Sequence, residues 1–191
     1  MGGILESSVG SLGTYDRDAV QKVSVGNGGV VSRAKNIEAK VLSLMLRQQP
    51  VAKDLRHISM ALKVVTDLER IGDHAVDIAE LAMRLDQKDA QSMIEYLPEM
   101  VENVKTMLRE SINAFVKKDR ELARSMEERD DVLDGLFNRV KQEAVKPLKE
   151  AGPESAKEVD LLRLAKYVER IGGPAVQVVE WTKCSVRGRL T

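Results

Sequence analysis

The chain has 191 residues, with 30 Lys+Arg against 30 Asp+Glu, 3% aromatic residues and one cysteine, Cys184. A formal charge of zero removes the basic field of a general nucleic-acid binder, the few aromatics exclude base-stacking platforms, and a lone cysteine excludes an internal disulfide framework or a CxxC metal site. No apolar run approaches the roughly 18–20 residues that span a bilayer and no signal-peptide pattern opens the chain, so a cytoplasmic protein is expected.

Seven of the 13 glycines fall within the first 32 residues, and each interior glycine costs a helix about 1 kcal/mol relative to alanine. Helix is therefore least secure there, and Gly26-Asn27-Gly28-Gly29 reads as a turn or break. From Ser32, Ile37, Val41, Leu44 and Met45 share one helical face. Gln49-Pro50 interrupts, with Pro50 suited to the first turn of the next helix. That helix carries Leu55, Ile58, Leu62, Val65, Leu68, Gly72, Ala75 and Ala79 at steps of three and four, and is expected to run to about Leu85. The segment 86–98 is polar and ambiguous. Further helices are predicted through Met100–Phe115, through Leu122–Val140 before Pro147, and from about Glu154 into the 180s. Ala151-Gly152-Pro153 separates the last two. No useful period-2 stretch exists, so the chain reads as all-α.

An internal repeat organises these helices. Leu68-Glu69-Arg70-Ile71-Gly72-Asp73-His74-Ala75-Val76 matches Val168-Glu169-Arg170-Ile171-Gly172-Gly173-Pro174-Ala175-Val176 at an offset of 100, and Asp16-Arg17-Asp18 echoes Asp119-Arg120-Glu121. Two ordered matches imply two related halves, residues 1–88 and 89–191, each a three-helix bundle. Gly72 and Gly172 would admit a neighbouring helix, with Arg70 and Arg170 facing solvent. Proline after two glycines predicts a kink or short break at 172–174, with Pro174 starting the continuing segment.

The acids form the chemical signal. Glu69 and Asp73 are i, i+4 on one helix face, Asp77 extends the row and His74 is adjacent; Asp130 and Asp134 repeat the spacing, with Asp131 beside them. Like charges so placed repel by a few tenths of a kcal/mol unless neutralised. Such oxygen ligands, met by a pair on a facing helix, suit iron, manganese, zinc, magnesium or calcium. The same spacing also occurs on ordinary solvated helix faces. His57 and His74 are 17 residues apart, so they form no chelating pair. No phosphate loop and no nucleophile–base–orienter set is present, so no enzyme is expected.

Gln48-Gln49-Pro50-Val51-Ala52-Lys53-Asp54-Leu55-Arg56, followed by Asp67-Leu68-Glu69-Arg70-Ile71-Gly72-Asp73-His74-Ala75, resembles the PhoU family over nearly the whole chain. The resemblance implies a non-enzymatic cytoplasmic regulator built of two tandem, pseudo-symmetric three-helix bundles. It implies restraint of phosphate uptake and of the phosphate-starvation response. The implied partners are the ATPase of the phosphate ABC transporter, the phosphate-sensing histidine kinase and a second copy in a homodimer. Relatives serve other transporters, and the first helix usually begins some residues earlier than here. A metal-binding protein, or a regulator of another ion transporter, is the alternative reading.

Many members bind iron or zinc at paired E/DxxxD motifs, one pair per bundle. Carried over, the early motif of the first half falls on Asn27 and Val31, so both acids are missing, while the later one is intact as Glu69 and Asp73. In the second half Asp130 and Asp134 are intact. Glu169 is kept, but Gly173 stands where aspartate is expected and Pro174 replaces the histidine. The implied metal ligands are therefore Glu69, Asp73, Asp130, Asp134 and Glu169, holding iron or zinc at weak or partial occupancy.

Overall fold

The computed structural model describes residues 17–51, 53–85, 96–119, 122–150 and 156–187. These residues form five α-helices and no strand: α1 (Arg17–Gln48), α2 (Lys53–Ala82), α3 (Leu97–Lys117), α4 (Leu122–Glu150) and α5 (Ala156–Arg187). The all-α expectation holds. The expected boundary at 88/89, the upstream part of the glycine-rich start and Gly152-Pro153 lie outside the described residues.

Three local expectations are corrected. The expected break at Gly26–Gly29 is absent: α1 runs unbroken across it, so the two segments read around it are one helix. Continuing an existing helix through weak residues costs less than nucleating a second one, and the turns on either side anchor it through buried Val23 and Ala34. Of the kink or short break expected at 172–174, the break is absent, because α5 is continuous with Pro174 inside it. An interior proline costs about 3 kcal/mol. Ile171, Ala175, Val178 and Val179 are each at most 1% exposed, and their burial, at about 1.5–3 kcal/mol for each large side chain, outweighs that cost. Pro50 starts no helix; it lies in the link between α1 and Lys53. There Gln49 takes φ 44° and donates its backbone N–H to Met45 O at 3.2 Å, closing α1.

α3, α4 and α5 pack on one another as a three-helix bundle, and α1 packs along α2. The largest interface joins α2 to α5, one helix from each half. The repeat residues are buried alike in both helices. Ile71 and Ile171 are fully buried, Ala75 and Ala175 are at most 1% exposed, and Arg70 and Arg170 face solvent as expected. α3 is closed by Lys118 in the left-handed region at φ 57°, with its N–H donated to Ala114 O. Met100, Met107 and Met126 fill the core without exposure, as flexible side chains suited to irregular gaps.

Candidate metal centre and the contacts around it

In the second half, helical spacing puts Asp130 and Asp134 on one face of α4, and the α4–α5 packing carries Glu169 to them. Asp130 is half-buried, Asp134 and Asp131 are exposed. Burial first, then the negative charges of Asp134, Glu169 and Asp131, push the Asp130 carboxyl above its ordinary value of 3.8. Asp130, Asp134 and Glu169 thus lie within electrostatic reach of one another.

Gly172 makes that approach feasible. A Cβ there would lie 2.6 Å from Leu133 Cδ2, 2.8 Å from Asp130 Oδ1 and 3.6 Å from Met107 Cε. The glycine of the repeat therefore sits where α3, α4 and α5 meet. Close helix approach, the plainer meaning of the motif, is realised here. On the other side of Asp130, Arg129 bonds Glu110 through Nε at 3.1 Å and Nη2 at 3.3 Å, and Asn103 Nδ2 donates to Arg129 O at 2.8 Å. These bonds fix α4 against α3 one residue from the acid.

Glu169 has an ammonium partner. Lys166 Nζ lies 2.6 Å from Glu169 Oε2 and 4.8 Å from the centre of the Phe137 ring. The contact is an ion pair without hydrogen-bond alignment: Oε2 is buried and accepts no hydrogen bond. A cation at Asp130 would compete with Lys166 for Glu169. Among the described residues, no three of His, Cys, Asp and Glu meet closely enough to hold one ion. The second half gathers negative charge that attracts a cation but does not form a closed ligand set.

In the first half, Glu69 and Asp73 share one face of α2. Facing them from α1 is an amide: Asn27 Nδ2 donates to Asp73 Oδ1 at 3.1 Å. Asn27 Oδ1 is buried and has no hydrogen-bond partner among the described residues. Val31, one turn on, has no ligating atom. His74 Nδ1 is 3.5 Å from Asp77 Oδ2, and its ring lies 5.7 Å from that of Tyr167 on α5. His74 is engaged between the halves, and the residues present do not fit an ion in this half.

One polar contact is foreshadowed by no motif. Asp67, 6% exposed, accepts a hydrogen bond from Trp181 Nε1 at 2.8 Å across the α2–α5 interface. Arg70 Nη1 stands 3.5 Å from the other oxygen, and Lys63 lies over the Trp181 ring at 5.9 Å. A bond of this kind to a charged acceptor contributes about 1.5–3 kcal/mol. Asp67 stands two residues before Glu69, and only its burial separates it from the surface acids. A signal did exist: a single tryptophan one turn from the end of the second repeat needs a partner for its N–H when it packs.

The described helices find close counterparts among known proteins. The PhoU domain matches residues 2–82 and 97–182. A phosphate-specific transport system accessory protein PhoU homolog of Clostridium acetobutylicum is 38% identical over 156 residues, 81% of this chain and 71% of the relative. A homolog of the same description from Methanothermobacter thermautotrophicus is 34% identical over 176 residues, 92% of this chain and 80% of the relative. The crystal structure of PhoU from Pseudomonas aeruginosa superposes with a TM-score of 0.90 at 27% identity, covering 98% of this chain and 90% of that one. Both halves, including the paired ERIG segments, fall within the matched ranges, and the chain belongs to the PhoU family.

Proposed function

We propose that this protein regulates phosphate uptake and phosphate-starvation signalling by docking on the ATPase of a phosphate transporter and on a phosphate-sensing histidine kinase, as a non-enzymatic cytoplasmic accessory subunit. The observation that carries the reading is membership of a family whose relatives at 38% and 34% identity are named phosphate-specific transport system accessory proteins. Among the described residues no helix is long and apolar enough to cross a membrane, so contact with a membrane transporter would be made from its water-facing side.

Exposed apolar side chains on α1 and its turn into α2 support the reading. Among the described residues, seven of the ten exposed large apolar side chains lie between residues 25 and 55: Val25, Ile37, Leu42, Leu44, Leu46, Val51 and Leu55. They concentrate on α1 and its turn into α2. A cleft of about 220 Å³ between the two helices is lined by Val30, Arg33, Ala34, Ile37, Val65 and Leu68; Leu44 lies on the same side of α1 as Ile37, whereas Leu42 and Leu46 lie on another side. Apolar surface of this extent on one helix pair suits a helical partner. Arg33, Lys40 and Arg47, at steps of seven along α1, would set encounter rate and orientation, so binding weakens as salt rises.

Deletion in the native cell tests the assignment. Derepressed phosphate uptake or starvation-gene expression is expected, and unchanged levels in both rich and limiting phosphate would overturn it. Capture of the transporter ATPase by the purified protein should fall at least tenfold with Leu46→Glu plus Val51→Glu. Those side chains are 82% and 74% exposed, so their replacement leaves the core intact.

A further inference from the structure

The two halves answer the same electrostatic problem differently. On the repeat register, Asn27 of α1 corresponds to Asp130 of α4, and Asp73 of α2 to Gly173 of α5. Asp130 stands in the field of Asp131, Asp134 and Glu169, and carboxylates so gathered are relieved by a counter-ion. At the corresponding place in the first half an uncharged amide meets a single carboxylate, and its N–H already bonds Asp73 Oδ1 at 3.1 Å.

We infer that the first half of this chain holds no resident metal ion, because the Asn27–Asp73 hydrogen bond occupies the carboxylate oxygen that an ion would need. An N–H donor and a cation compete for the same carboxylate oxygen. The amide nitrogen is not a ligand at neutral pH. Turning the amide to present Oδ1 would set its partial negative charge against Asp73. Val31 adds no oxygen at the next turn. Glu69 and Asp73 alone would leave most positions around a divalent ion to water. Replacing one of two facing carboxylates by an amide removes a negative charge, and with it the repulsion that a counter-ion would relieve.

The experiment uses the full chain with the second half silenced by Asp130→Asn, Asp134→Asn and Glu169→Gln. Equilibrium dialysis against zinc chloride or manganese chloride, and thermal unfolding with either salt or with EDTA, give two readouts. With Asn27 intact, no ion should be retained and the melting midpoint should be the same in metal and in EDTA. Asn27→Asp in the same background should melt about 2–4 °C lower in EDTA and recover on adding the cation. One retained ion in the silenced parent, lost with Asp73→Asn, would overturn the inference. An unchanged midpoint for Asn27→Asp in EDTA would overturn it as well, since the amide would then relieve no repulsion. If Asn27→Asp fails to fold, dialysis of the parent decides alone.

Discussion

Gly172 and Gly173 are neighbours with opposite tolerance. A methyl at residue 172 meets Leu133, which is fully buried and has nowhere to swing, and the Asp130 carboxylate. Overpacking of this kind costs about 1–3 kcal/mol, more than the roughly 1 kcal/mol alanine returns in helix propensity. Gly173 has open space around it, so only the propensity gain operates. Chemical denaturation should find Gly172→Ala destabilised and Gly173→Ala stabilised by up to about 1 kcal/mol. Asp130 gives a pH signature. Its folded-state pKa lies above the unfolded value, so at acidic pH the folded form keeps a proton that the unfolded form releases. Stability therefore falls as pH rises from about the ordinary value of 3.8 through the raised one. In EDTA, Asp130→Asn should raise the melting temperature at pH 7, and that gain should vanish below the ordinary aspartate pKa.

At the scale of the helices, α1 carries glycines that no contact requires. At Gly28 and Gly29 an alanine methyl would meet nothing within 4 Å. Gly28→Ala and Gly29→Ala should each stabilise by about 1 kcal/mol, read from urea midpoints at constant slope. Between α2 and α5, the Asp67–Trp181 bond ties the halves together. Trp181→Phe keeps an aromatic ring but leaves Asp67 Oδ2 without its donor, so a loss of about 1–3 kcal/mol is expected. Asp67→Asn retains an acceptor and should lose less, while shifting the emission of the only tryptophan. Local rules read these elements unevenly. The three–four periodicity locates every described helix, because burial of one face is a cumulative signal. The breaks expected at 26–29 and 172–174 do not form, because glycine and proline penalties are local, whereas helix continuity is decided by core packing on both sides.

For the whole molecule, the repeat is legible because 100 residues separate two nearly identical turns of sequence. The acids of the candidate centre are legible as types and spacings. Lys166, three residues before Glu169 on the same helix, is a partner that spacing gives; Asn27 on Asp73 is a meeting between helices that linear spacing does not specify. If the second half takes up metal, elemental analysis of protein purified without chelator should find less than one tightly held ion per chain. Asp130→Ala with Asp134→Ala should release more of it than Arg163→Ala. Gly173→Asp, for which there is room, should raise zinc affinity at least tenfold by adding a carboxylate one turn from Glu169.

The position of α5 also has a consequence for biosynthesis. It is the one described helix that packs on α2, α3 and α4 together, and it leaves the ribosome after the other four. Until it emerges, the apolar stripes of three earlier helices have no common partner, and the nascent chain must be kept from self-association through the synthesis of α1 to α4. A message cut before residue 156 would yield those helices without the Gly172 turn of α5 that packs against Met107 and Leu133, a product for chaperones and proteases. Emergence of α5 and closure of the core are thus nearly the same event.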